Sequence, residues 1–167
     1  MADPKTNSDD FLKETLEPVL AEMGMASPSA EKLLIMTAAH ESMGYRYRAQ
    51  TGGGPALSYY QIEPNTLDDL YTNYLAFRPD KQALLDAYLP EGSSRVEALE
   101  NNDEYATAAA RLIYSRVPDA LPDIGDNEAL AKYAKQFWNT ELGAATAEKY
   151  LADYRLYGPK PEPASWA

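Results

Sequence analysis

AAHESMGYRYRAQTGGGPALSYYQIEPNT, residues 38–66, is the stretch on which the reading of the fold turns. A helix-forming run reaches Glu41 and stops at Gly44, after which Tyr45, Tyr47, Tyr59 and Tyr60 surround the glycines 52–54 before helical signals resume. Glu41 falls at the C-terminal end of its helix, where unpaired carbonyls make the potential negative, and shares a face with Leu34 and Ala38. Both surroundings favour the protonated acid. A carboxyl group that keeps its proton near neutral pH is what a general acid needs, and glycoside cleavage uses one to protonate the leaving oxygen. The break after Glu41 then opens a cleft, the glycines let backbone approach a ligand, and the tyrosines offer rings to sugar faces.

On either side of this stretch the chain reads as helix. Residues 8–24 carry Phe11, Leu12, Leu16, Val19, Leu20 and Met23 near helical spacing, with Pro18 expected to split or kink the element. Ser27 followed by Pro28 is a helix opening, an oxygen cap with proline at the first position. Asn65 or Thr66 is the expected cap of the next helix, and further helices are expected over 80–89, 94–100, 103–116, 127–138 and 141–155, punctuated by prolines and glycines. Only residues 45–62 have strand character, where YRYRAQ and SYYQI flank TGGGP in the manner of a short hairpin. The class is mainly α, with a small β-hairpin or irregular insertion after the Glu41 helix. One domain over 1–157 and a proline-rich, extended tail over 158–167 are expected.

Composition removes several classes of function. With 26 acidic against 15 basic residues and a net charge of −11, no nucleic-acid-binding face is expected, since that requires clustered cations. Cysteine is absent and His40 is the single histidine, which excludes thiol nucleophiles, disulfides and Cys/His zinc sites. Neither a cofactor nor a metal is expected. No basic start precedes an apolar run and no segment approaches the roughly 20 apolar residues of a membrane span, so the expectation is a chain without signal peptide or span.

The order HES, glycine-rich break, YYQIEPNT resembles the lysozyme superfamily, in particular soluble lytic transglycosylases and phage-borne muramidases. Gln61, Ile62, Pro64 and Thr66 match the second box of that pattern, whereas Ser58, Tyr59 and Tyr60 replace its small and apolar lead-in. Later, FWNTELGAA puts Trp138, Asn139, Gly143 and Ala144 where the family has an aromatic-Asn motif, and EYATAAARLIYSRV resembles its alanine-rich core helix. The likeness covers about residues 28–155. It implies a lysozyme-like helical fold and cleavage of the MurNAc–GlcNAc linkage of peptidoglycan, with Glu41 as acid and then base. It implies a substrate site containing Ser42, Gln61, Trp138 and Asn139, with Tyr59 and Tyr60 as sugar platforms. Trp138 stands where relatives have a tyrosine that contacts the catalytic Glu.

Hydrolysis needs a second carboxylate, for which Glu63, Asp68 and Asp69 are at hand; none stands where the pattern demands one, so the single-acid route is favoured. The expected partners are glycan strands and, in a phage particle, other virion proteins. The expected setting is a phage virion or host cytoplasm with action on the cell wall. Arg46 and Arg48, the local positive pair, face either solvent or the carboxylates of the wall, and His40, about 100° from Glu41 around the helix, is expected to be a packed or surface imidazole. Two other readings compete: a lysozyme-fold virion structural or adaptor protein without activity, using the tail as a docking arm, and an unrelated helical binding module. The first turns on whether Glu41 lines an open cleft with Gln61 within reach, the second on whether residues 33–43, 59–66 and 137–144 converge.

Overall fold

A computed structural model describes residues 2–139 and 143–167. The first helical element is unbroken but mixed in pitch: α1 (Ser8–Phe11) runs through a π-helical turn, Leu12–Leu16, into α2 (Glu17–Met23). Pro18 therefore does not split the element. Proline has no N–H to give, and the widened turn just upstream, with Glu17 N–H reaching Leu12 O, absorbs the misfit.

Next comes α3 (Pro28–Glu41), opened as expected by Ser27 Oγ accepting from Ala30 N–H at 3.1 Å. Every residue from Leu33 to Ala39 is buried. A helix that is buried all round is a central helix, and α3 packs against the later α7 (Asp103–Ser115), α8 (Asn127–Ala134) and α9 (Ala147–Tyr157). Ala106, Ala108, Ala109 and Ala110 make α7 the second core helix, slim enough for close approach. Between lie α4 (Pro64–Asn73), α5 (Pro79–Asp86) and α6 (Arg95–Asn101). The cap of α4 is Glu63 rather than Asn65 or Thr66, because Pro64 already occupies its first turn. α8 continues into a second π-helical turn, Lys135–Asn139. Of the expected 141–155 helix, residues 141 and 142 lie outside the described residues, and Thr146 caps α9 at Lys149 N–H, so the helix starts later than expected.

The class is mainly α. The expected hairpin is reduced to two isolated antiparallel bridges that share Leu57, Ala49 with Leu57 and Leu57 with Ile62. Gly52 and Gly53, both with φ of +81°, turn the chain at the surface in a 3-10 turn, Thr51–Gly53.

The tail is not a free extended arm. Its last residues form a 3-10 turn, Ala164–Trp166, and Trp166 is buried in the same core as α3, with its indole N–H donating to Glu31 Oε1 at 2.8 Å. Glu162 reaches the buried ammonium of Lys32 at 2.7 Å and accepts from Tyr154 Oη at 2.5 Å. The expected boundary at 157 thus has no counterpart in the packing. Among the described residues no helix is long and apolar enough to cross a membrane.

Candidate functional site

The exit from α3 is built from side-chain capping and left-handed backbone. Ser42 is fully buried; its Oγ donates to Ala38 O at 2.5 Å and accepts from Tyr45 N–H at 2.7 Å. Met43, Gly44 and Tyr45 follow with φ of 53°, 72° and 66°, a conformation that disfavours residues with a Cβ. At Gly44 a Cβ would stand 2.6 Å from the Tyr157 ring, so this turn also needs the absent side chain. Burial of Tyr45, whose hydroxyl pairs with Ser8 Oγ at 2.9 Å, offsets the strain. Ser42 is therefore a helix terminator and not, as expected, part of a substrate site.

That exit leaves Glu41 on the wall of a cleft of about 440 Å³, within the range usual for ligand sites. Gln61, Ile62, Glu63 and Thr66 line it from the approach to α4, Ile113 from α7, and Phe137, Trp138 and Asn139 from the π-helical turn after α8. Three segments far apart in sequence, around Glu41, Gln61 and Trp138, thus meet at one cleft. Gln61 has a left-handed backbone, φ 52°, and its amide donates to Ser58 O at 2.8 Å and Arg48 O at 3.3 Å. Trp138 donates its indole N–H to Tyr60 O at 3.1 Å and lies against Tyr114 with ring centroids 4.9 Å apart. Asn139 accepts from Lys135 Nζ at 2.9 Å, and a Cβ on Gly143 would collide with its side chain.

The group that touches Glu41 is one the sequence did not single out. Tyr150 of α9, fully buried, donates its hydroxyl to Glu41 Oε1 at 2.8 Å. It fills the role expected of an aromatic at Trp138, from a different helix. His40 packs on the Tyr150 ring at 3.9 Å and meets Asp153 Oδ2 at 2.7 Å through Nδ1, while Lys149 Nζ holds the other oxygen of Asp153 at 2.8 Å. His40 is thus a packed imidazole that faces α9, as its position around the helix requires. The sequence carries no spacing that announces this arrangement, since His40 and Glu41 are adjacent on one helix whereas Tyr150 and Asp153 lie three residues apart on another.

Burial pushes the Glu41 carboxyl above the ordinary carboxylate range, and the Tyr150 hydroxyl and His40 oppose that rise without cancelling it. Burial likewise raises Tyr150, reinforced by the neighbouring Glu41, so the phenol stays protonated and acts as a donor. Of the three possible second carboxylates, Glu63 alone lines the cleft; Asp69 is tied to Arg116 at 2.6 Å and Asp68 is exposed on α4.

Tyr59 and Tyr60 are not sugar platforms. Both are buried, 1% and 0% exposed, because the left-handed Ser58 (φ 72°) turns this segment inward. Tyr60 Oη pairs with Thr107 Oγ1 at 2.9 Å, whereas the Tyr59 hydroxyl has no hydrogen-bond partner among the described residues. Tyr59→Phe is accordingly expected to raise stability by up to about 1 kcal/mol and Tyr60→Phe to lower it by about as much, read from urea unfolding. Arg48 pairs with Asp103 at 2.8 Å and covers the Tyr59 ring, and Arg46 donates to Met43 O and lies over Tyr157, so neither reaches the cleft. The glycine run is absent from the lining as well, which leaves it the role of a turn.

Among the described residues no cluster of His, Cys, Asp or Glu is arranged to hold a metal ion. No family model matches the chain, and no curated protein or solved structure matches it either.

Proposed function

We propose that this chain is a peptidoglycan-degrading glycosidase of the lytic-transglycosylase type, cleaving the MurNAc–GlcNAc linkage with Glu41 as acid and then base. The observation that carries the reading is a carboxyl group biased towards its protonated form on the wall of a sugar-sized cleft, held at one oxygen by Tyr150 and sharing that cleft with Gln61 and Trp138. Tyr150 occupies Oε1, which leaves the other oxygen of Glu41 to carry the transferable proton. That proton goes to the glycosidic oxygen as its bond to C1 breaks. The carboxylate left behind then takes the proton of the C6 hydroxyl as that oxygen closes on C1, so no water is consumed. With Tyr59 and Tyr60 in the core, Phe137 and Trp138 become the aromatic faces available to a sugar ring.

Digestion of purified sacculi, with released fragments weighed by mass spectrometry, tests this directly. Anhydro-sugar ends are the expected product. Reducing ends would replace ring closure by hydrolysis and move attention to Glu63, and intact sacculi would overturn the enzymatic reading in favour of a structural role.

A further inference from the structure

At the far end of α4 from Glu63, three cations gather around one phenol. Arg78 Cζ lies 4.1 Å, Lys81 Nζ 5.4 Å and Arg116 Cζ 5.5 Å from the centroid of Tyr74, and Lys81 Nζ also donates to the Tyr74 hydroxyl at 2.9 Å. Arg116 is neutralised by Asp69, but neither Arg78 nor Lys81 has a carboxylate partner among the described residues. In a chain with 26 acids and 15 bases, two unneutralised cations on one ring run against the overall charge balance. Burial raises the Tyr74 phenol, yet Lys81, Ser115 and Arg78 outweigh it and leave the phenol below its ordinary range, as a positive local potential requires.

The cluster is placed in line with the cleft. Thr66 and Ile113 line the cleft; Asp69, one turn further along α4, is paired with Arg116, the residue that follows the end of α7. From Thr66 to Tyr74 is eight residues, roughly 12 Å along a helix axis, a distance that three to four extended residues span. A ligand reaching from the cleft to the cations must then be a short extended chain ending in an anion.

We propose that the ledge formed by Arg78, Lys81 and Arg116 around Tyr74 binds a carboxylate of the peptide stem of a peptidoglycan strand whose glycan lies in the Glu41 cleft. This rests on the glycosidase reading. It gives to the ledge a role from which Arg48, paired with Asp103, and Arg46, turned to Met43 O and the Tyr157 ring, are withheld by their own partners.

Calorimetric titration of the full-length Glu41→Gln protein, which binds without cleaving, tests it with three soluble probes: a peptide-free glycan oligosaccharide, the same glycan carrying free-acid stems, and the same glycan with amidated stems. Two exposed charge pairs correspond to about tenfold in affinity, so the free-acid probe is expected to bind about tenfold tighter than the other two, with the advantage shrinking as salt is added. Adding Arg78→Gln and Lys81→Gln together should abolish that advantage and leave the peptide-free affinity unchanged. Equal affinity for all three probes, or a free-acid preference that survives in the double variant, overturns the ledge while the cleft reading stands. Failure of even the peptide-free glycan to bind overturns the cleft reading, and the ledge proposal with it.

Discussion

Glu41→Gln is expected to lower glycan cleavage by about three orders of magnitude, in line with the contribution of a positioned general acid, while making the folded protein more stable at neutral pH. The two effects have one origin. Gln keeps the shape and keeps an oxygen to accept from Tyr150, but it has no proton to transfer at working pH. The stability effect follows from the direction of the Glu41 shift. Because burial raises this carboxyl in the folded chain, the folded state holds a proton that the unfolded state has released, and stability falls as pH rises from the ordinary carboxyl range through the raised value. Gln carries no such penalty. The gain of the variant over the native chain should therefore be small at pH 4 and larger at pH 7, in urea unfolding at both values. A variant that loses relative stability between pH 4 and pH 7 would mean that the native carboxylate is stabilised as an anion, and the acid role would fall with it.

Local chemistry explains which parts of this molecule are readable from its residues. Ser27 accepts a backbone N–H at the start of α3 as its place before Pro28 indicates, because such a cap depends on a neighbour three residues away. The helix break after Glu41 was visible for the same reason, whereas a meeting of Glu41 with Gln61 and Trp138 was only an expectation of the resemblance, carried by short motifs in a fixed order. The tyrosines were misread because their direction depends on the left-handed residues Tyr45, Ser58 and Gln61, which no periodicity reports. An alternation that looks like a half-exposed strand instead folds both rings inward. Tyr150 was missed for a different reason: its partner lies 109 residues away, and its role arises only when α9 packs on α3. The site thus combines a carboxyl group legible from its local motif with a hydrogen-bonded phenol that only tertiary packing reveals.

Trp166→Ala is expected to destabilise the protein by about 3 kcal/mol, the lower end for deleting a buried large aromatic, and to lower Tm by roughly 6–12 °C for a chain of this size. A segment outside the packed helices usually contributes little, because it opens locally. Here opening would have consequences beyond the indole. Trp166 and Glu162 cover Lys32, which is 3% exposed and makes its ion pair with Glu162, donates to Ile124 O and faces the rings of Tyr154 and Trp166. Releasing the tail takes the counter-charge from that ammonium, and because Glu162 is itself half-exposed the cost lies between that of losing an exposed pair and that of breaking a buried one. Glu31 loses its indole donor at the same time. Lys32→Met in the Trp166→Ala background separates the contributions: methionine fills similar volume without charge, so it should recover part of the loss. A Trp166→Ala protein that melts at the native temperature would show that the tail rests on α3 without holding it. A loss of the expected size, partly recovered by Lys32→Met, would show that the last ten residues help to fix the helix from whose end Glu41 projects.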